Sequence, residues 1–358
     1  MRIGIIGASF ARAAYLPALR HVEGAEVVAL ASSRLESATE AARAFAIPRA
    51  TDDWRAMLAE ERLDLALIAT PADLHAPMTL EALARGAHVL CEKPTALDAQ
   101  EAEAMLAAQR AAGRLGMIDH ELRFNPNRRH LARLIREGEL GEIRHVNIAN
   151  IGSSWADPAS RPKGDWWSLK SHGGGRLGAN GSHQVDLLRW WLGPVRSVVG
   201  QALTLVPDRV DKRTGEAWRA DADDLSHLTL EMANGALAQV FMSGVAASNM
   251  GNRTEVFGSR GTATLDNETE RLLISRGGGP FQDETQDDPN AGLAGLNKGI
   301  WNVSVVAALR ELTAAIREGR PLREGATFAD GVANQRVLDA VHRSTVERRW
   351  IDLAEEPR

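Results

Sequence analysis

Arg2-Ile3-Gly4-Ile5-Ile6-Gly7 constrains this chain more than any other stretch. An apolar run begins almost at Met1 and stops at Gly7. Ala8-Ser9-Phe10-Ala11-Arg12 follows, then Ala13, Ala14, Leu16 and Leu19 in a helical pattern. A buried parallel strand, a tight turn of small residues and a helix open a dinucleotide-binding fold. Such a turn aims helix N–H groups at a pyrophosphate, where the helix dipole also favours negative charge. The G-x-G-x-x-G fingerprint keeps only its first glycine, Gly7. Ser9 stands in the second place and Arg12 in the third. Serine is small enough for a fairly close approach to phosphate. Arg12 either extends outward or marks a helix that starts differently. Read alone, the stretch also fits an ordinary βα turn. Gly7, Ser9, Phe10 and Ala11 are its candidate cofactor contacts.

At 358 residues the chain suits two domains. A hydrophobic share of 44% with 25% charged residues is a soluble globular balance. A net charge of −5 offers no basic field for nucleic acid. One cysteine, Cys91, excludes an internal disulfide and a multi-cysteine metal site. No apolar stretch is long enough for a membrane span, and the first apolar run reads as a strand rather than a leader. A cytoplasmic protein with no membrane partner is expected.

Residues 25–31 read as the second strand, and it ends in Ser32-Ser33-Arg34 with no acid before Glu36. NAD-binding folds commonly end this strand with an acid that holds the ribose hydroxyls. Hydroxyls and a guanidinium suit a 2′-phosphate instead, so NADP is expected ahead of NAD. A helix over Leu35–Phe45 follows. Asp64 through Ile68 reads as a buried strand, leading into Ala69-Thr70-Pro71 and His75. Gly86 through Cys91 reads as another short strand with a sharply polar end, Glu92-Lys93-Pro94. Ligands gather at the carboxyl ends of strands in open α/β sheets. A lysine there can orient a substrate hydroxyl or exchange a proton, although most lysines are simply solvated.

The order of these motifs resembles the Gfo/Idh/MocA oxidoreductase family. The resemblance is carried by Ile3–Gly7, by Ala69-Thr70-Pro71 with His75, and most specifically by Glu92-Lys93-Pro94. It continues through His120-Glu121-Leu122-Arg123-Phe124-Asn125-Pro126 and Leu134 to Ile143. Gly173-Gly174-Gly175 through His183 and Asp186, then Thr327 to Gly331 and Trp350, carry it nearly to the end. It implies a Rossmann NAD(P)-binding domain over 1–122. An α+β domain with a largely antiparallel open sheet is implied over 123–358, its C-terminal helices returning to the first domain. The exposed face of that sheet usually forms a subunit interface in the family, so a homodimer or homotetramer is expected.

Past Arg123 the pattern changes. A helix is expected from about Asn127 to Glu137, and strands at 143–151, 195–206, 225–233, 236–245, 254–257 and 262–266. Trp155, Trp166, Trp167, Lys170 and His172 precede the glycine run, and indole with polar side chains suits a sugar. Trp190 and Trp191 are expected in the core, on a helix over 182–192. Asn180, His183 and Asp186 are spaced by three, which puts them on one helical face. Two possible ligands, His183 and Asp186, do not make a metal site, so no metal is expected. Residues 207–223 and 276–299 read as long loops. Amphipathic helices are expected over Val303–Glu318 and Gly331–Arg348.

The resemblance makes Lys93 and His183 the expected catalytic pair. Thr70, Pro71, His75 and Glu92 are expected at the cofactor, with Lys93 and the serine–arginine turn. Arg123, Asn125, Trp166, Trp167, Asn180 and His183 are expected at the substrate. The expected activity is hydride transfer between a nicotinamide cofactor and a sugar, cyclitol or related polyol or ketone. The family often has Asp four residues before its active-site histidine, and this chain has Ala179. Two other readings stand: a redox-neutral enzyme that retains its cofactor, and a non-catalytic dinucleotide or sugar sensor.

Overall fold

The computed structural model describes residues 1–296 and 299–353. They divide into two compact units, one of residues 1–125 with the described part of 287–332 and one of residues 126–286 with the described residues from 333 onward. Packing is therefore discontinuous along the chain, and 287–332 belongs with the first unit.

In the first unit, β1 (Arg2–Ile6), β2 (Glu26–Ala31), β3 (Arg49–Thr51), β4 (Leu65–Ile68), β5 (His88–Cys91) and β6 (Gly116–Ile118) form a parallel sheet. Its order is β6-β5-β4-β1-β2-β3, with Ala326–Thr327 antiparallel on the β6 edge. The winding reverses at β1, which pairs with β2 on one side and β4 on the other. Alternate residues enter opposite cores, as the strand period requires. Ile3, Ile5, Leu65, Leu67 and Leu90 join one core with Val305, Leu309 and Leu312 of helix Ile300–Glu318. Ile6, Ala66, Ile68, Val89 and Cys91 join the other with Met57, Met78, Met105, Phe328 and Val332. Helix Leu35–Phe45 has the expected bounds. It ends where Ala46 turns left-handed at φ 56°.

In the second unit, β7 (Ile143–Ile151), β8 (Val195–Leu203), β11 (Leu225–Met232), β12 (Leu237–Ser243), β13 (Gly251–Gly258), β14 (Gly261–Asp266), β15 (Arg271–Arg276) and β16 (Gln282–Asp283) form one sheet. The intervening β9 (Asp208–Val210) and β10 (Ala217–Arg219) pair only with each other. The sheet order is β16-β15-β14-β13-β7-β12-β11-β8, closed by Ile351–Asp352. Every neighbouring pair is antiparallel except β7 with β12. Burial alternates strictly along β11, with Ser226, Leu228, Leu230 and Met232 inward.

Two expectations change. The loop expected over 207–223 contains the β9–β10 hairpin. Strands of three residues are too short to show alternation, and the hairpin closes on Asp211, whose carboxylate accepts from the backbone of Lys163 and Arg213. The loop expected over 276–299 starts after β15, a strand the sequence reading passed over, and includes β16. Its residues 297–298 lie outside the described residues. Among the described residues no helix is long and apolar enough to cross a membrane.

The turn after β1 depends on Gly7. Its φ is +107°, and a Cβ there would overlap the Ala69 carbonyl. Gly113, at φ +61°, has open space around it. Gly7→Ala should therefore lose more stability than Gly113→Ala. The strained dihedral alone costs about 1–3 kcal/mol, and the overlap adds to it. Urea midpoints of the two variants check this, and equal losses would remove the close approach as a cause.

Candidate active site

The carboxyl end of the first sheet gathers most of the expected cofactor residues. The Gly7 N–H donates to Ala31 O at 2.8 Å, which ties the turn to β2. Ser9 is exposed, Ala8 is buried, and half-buried Phe10 meets Tyr15 edge-on with ring centroids 5.3 Å apart. The helix does start differently: Ala11–Tyr15 is a π turn. Arg12 also points outward, 3.3 Å from Glu40 Oε2, while Ala11 is fully buried. An alanine thus fills the buried side where the fingerprint's third glycine is absent. At the end of β2, Ser32 is half-buried and its N–H donates to Thr51 O at 3.0 Å. Ser33 and Arg34 are exposed, and Arg34 is the extended residue that precedes helix Leu35–Phe45.

Thr70 and Pro71 follow β4, and His75 ties their loop to the next one. Its ring nitrogens lie 2.9 Å from Thr70 O and 2.9 Å from Pro94 O. An imidazole with one N–H donates to one of these carbonyls; only the imidazolium donates to both. Complete burial pushes the His75 pKa down. His75 is thus a strut between the Thr70 and Lys93 loops. Lys93 is half-buried at the end of β5, and its backbone N–H donates to Glu92 Oε2 at 3.2 Å.

Sequence reasoning missed what lies beneath Lys93. Tyr15, the only tyrosine in the chain, sets its hydroxyl 2.7 Å from Glu92 Oε1 and 2.8 Å from Asp119 Oδ2. Glu121 is buried nearby at 4% exposure. Burial first, then mutual repulsion, raises the Asp119 and Glu121 pKa values well above the carboxylate range. Burial likewise raises that of Glu92, against the pull of Lys93. Burial and the two acids push Tyr15 up. The available signal was a lone tyrosine on the apolar face of the first helix and an acid just past a short strand. Arg123 is buried, with one guanidinium nitrogen donating to Gly325 O at 3.2 Å and another 3.3 Å from Asp330 Oδ1. Asn125 is also buried, and its backbone N–H donates to Leu122 O at 3.1 Å.

In the second unit Trp166 and Trp167 stack with centroids 4.2 Å apart, both half-buried. The glycine run folds back over them. A Cβ on Gly174 would overlap the carbonyls of both tryptophans, and one on Gly175, at φ +112°, would overlap the Asp223 carboxylate. Asp223 then accepts the Leu177 N–H at 2.8 Å and opens the segment that carries His183. That segment is a π turn, Leu177–Gly181, before the α-helix Ser182–Leu192. The α-helix thus has the bounds expected, 182–192, and the one helical face expected for Asn180, His183 and Asp186 extends into the π turn before it. Asn180 lies in the π turn, and the four-residue spacing of Ala179 and His183 crosses the change of helix type. His183 and Asp186 remain three apart on regular helix, each at 1% exposure. Trp155 is core rather than pocket at 2% exposure, with Arg161 over its ring at 5.1 Å. Trp191 is buried as expected, and Trp190 is half-buried.

Residues 1–120 match the family model described as an oxidoreductase family with an NAD-binding Rossmann fold. Residues 128–264 match the GFO/IDH/MocA C-terminal domain. The chain is 26% identical over 355 residues to levoglucosan dehydrogenase of Pseudarthrobacter phenanthrenivorans, covering 90% of this chain and 88% of that one. It is 28% identical over 358 residues to inositol 2-dehydrogenase of Rhizobium meliloti, covering 99% of each. A solved levoglucosan dehydrogenase, in complex with NADH and L-sorbose, superposes at a TM-score of 0.89. Its identity is 26%, with 99% of both chains covered.

Asp223 generates a prediction of its own. Burial raises its pKa to about 7, against the opposing Leu177 N–H bond. The folded state therefore holds a proton that the unfolded chain, with an Asp pKa of about 3.9, releases earlier. The associated stability is fully present below about pH 4 and is lost as pH rises through about 7, by on the order of a few kcal/mol. Asp223→Asn keeps an acceptor for Leu177 but cannot ionise, so its denaturation midpoint should vary less over that window. Parallel pH dependences in the two proteins would contradict the assignment.

Proposed function

The chain belongs to the Gfo/Idh/MocA oxidoreductase family, and on that premise we propose that it is a dehydrogenase moving hydride between a nicotinamide dinucleotide and a CH–OH carbon of a sugar or cyclitol. The observation that carries this reading is the position of Lys93. It stands two residues past β5 in the sheet whose winding reverses at β1, with buried acids beside it. The named relatives, levoglucosan dehydrogenase and inositol 2-dehydrogenase, support a polyhydroxylated ring as substrate.

The residues at the end of β1 fit a dinucleotide. Gly7 leaves a place that a Cβ would fill, Ser9 is exposed beside it, and no side chain caps the helix start. Ser32, Ser33 and Arg34 would hold the adenosine ribose. Their hydroxyls and guanidinium, with no carboxylate at the end of β2, support a 2′-phosphate and hence NADP, with NAD as the alternative. The nicotinamide, when bound, supplies the hydride chemistry. Lys93 donates a hydrogen bond to the reacting oxygen and holds its charge. His183 exchanges the hydroxyl proton through a ring nitrogen. The stacked faces of Trp166 and Trp167 receive the apolar face of a sugar ring.

The outward face of the second sheet supports self-association, as a homodimer or homotetramer. Phe241 is 41% exposed and stacks on His227, and Phe257 stacks on His145 at 4.3 Å.

Polyols and ketoses screened by nicotinamide absorbance with both cofactors test the activity. Cofactor that stays bound without net absorbance change would favour the redox-neutral reading instead. NADPH should bind more tightly than NADH, and Arg34→Ala should weaken NADPH selectively by about 1–3 kcal/mol. Equal affinities in the parent would refute the 2′-phosphate reading.

Lys93→Met keeps volume and removes charge. Turnover should fall by about 10²–10⁴-fold, the size of acid–base catalysis, while cofactor affinity is nearly retained. In a pH–rate profile the parent should lose oxidation rate as pH falls and His183 protonates, since a general base must be neutral. His183→Asn should abolish that inflection. A profile unchanged in His183→Asn would leave Lys93 or water to move the proton.

A further inference from the structure

Tyr15 has one hydroxyl hydrogen and two carboxyl oxygens within hydrogen-bond distance, Glu92 Oε1 at 2.7 Å and Asp119 Oδ2 at 2.8 Å. The hydroxyl donates to one of them only. The other contact is favourable only when that carboxyl carries a proton and donates it to the hydroxyl oxygen. All three groups are buried, so an ionised pair without donors is costly.

The partners fix the direction. Glu92 accepts twice, from the Tyr15 hydroxyl on Oε1 and from the Lys93 N–H on Oε2 at 3.2 Å. Two donors stabilise an anion. Asp119 meets the tyrosine oxygen on Oδ2 and is also hydrogen-bonded to the Glu92 side chain, a contact that raises the Asp119 pKa and lowers that of Glu92; its buried Oδ1 has no hydrogen-bond partner among the described residues. Asp119 is thus the acid and Glu92 the anion. The chain runs from the Asp119 carboxyl to the Tyr15 hydroxyl to the Glu92 carboxylate.

We propose that Tyr15 and Asp119 are positioning residues for Lys93: they hold one proton beside Glu92, so that the lysine loop faces one carboxylate charge from this pair instead of two. The charge of Lys93 acts on Glu92, Asp119 and Glu121, so the amine lies within electrostatic reach of the whole cluster. Cys91 at the end of β5 also feels the charges of Glu92 and Asp119, and His75 that of Lys93. Burial raises the Asp119 pKa well above the carboxylate range, the direction the hydrogen-bond count requires. The tuning of Lys93 rests on the role proposed for it above; the trapped proton does not.

Two measurements on the full-length protein separate these claims. The infrared difference between the parent and Asp119→Asn at neutral pH should show the C=O stretch of one protonated carboxyl lost with Asp119, over those of the other buried acids, Glu121 and Asp223. A difference spectrum without that loss overturns the trapped proton. The second measurement is the pH profile of kcat/KM, read at the inflection that Lys93→Met abolishes. Removing a negative charge beside an ammonium favours the neutral amine, so Glu92→Gln should move that inflection down by about 1–3 pH units. Asp119→Asn swaps a neutral acid for a neutral amide that can still donate to Tyr15. It should leave the inflection in place, whatever its effect on turnover. Any other pattern overturns the tuning. If Glu92→Gln does not fold, Tyr15→Phe replaces it: Glu92 loses a donor, so the shift is in the same direction. A Lys93→Met enzyme with parental turnover would refute the lysine's role and leave the infrared result standing on its own.

Discussion

Gly7 and Ala69 come into close backbone approach where β1 and β4 end side by side, so that a Cβ on Gly7 would overlap the Ala69 carbonyl. The Ala69 N–H donates to Ile6 O at 2.7 Å, and the space above Gly7 admits a hydrogen and no more. That contact fixes where the chain leaves β1. The same glycine holds β2 through its N–H. The turn therefore sits at the point where the winding of the sheet reverses, the place where this class of sheet binds ligands. The loops after β4 and β5 are tied to each other by one buried imidazole, so Lys93 is carried on a braced loop rather than a free one.

Both helices that carry the candidate residues contain a π turn near their start, Ala11–Tyr15 after the short α turn Ala8–Phe10 in one unit and Leu177–Gly181 in the other. Such turns recur at functional sites because one extra residue per turn re-aims the side chains around it. In the first, Ala11 and Tyr15 face inward and Arg12 outward, although a glycine fingerprint would have put a glycine at 12. In the second, Asn180 no longer falls in register with His183 and Asp186. Ser182 makes up for the disturbed backbone by donating its hydroxyl to Gly178 O at 2.6 Å.

Charge is placed differently in the two units. Beneath Lys93, Glu92, Asp119 and Glu121 are buried together, and burial raises the pKa of each. Around His183, Asp223 caps the start of the helix segment from a strand-end position. Asp224, the next residue, is fully buried and accepts the N–H groups of Leu205 and Val206, each at 2.8 Å. It also lies 3.5 Å from the buried Arg209 guanidinium. Adjacent aspartates thus hold two different segments, because successive side chains at a strand end point to opposite faces.

The sequence by itself determined the alternating strand and helix half, the long strands of the second sheet and the helices that follow it. Each rests on a local apolar period, which burial enforces wherever a strand or helix packs. It also determined the chemically specific stretches, the Gly7 turn and Glu92-Lys93-Pro94. Only the tertiary structure decided the partnership of Tyr15, Glu92 and Asp119, because those residues lie 77 and 104 positions apart in the chain. No local pattern reports such a contact. The same holds for Asp223 under Leu177, and for the return of 287–332 to the first unit. The π turns escaped for a different reason. Their residue content suits an ordinary α-helix, and what selects the wider turn is how the neighbouring chain packs against it.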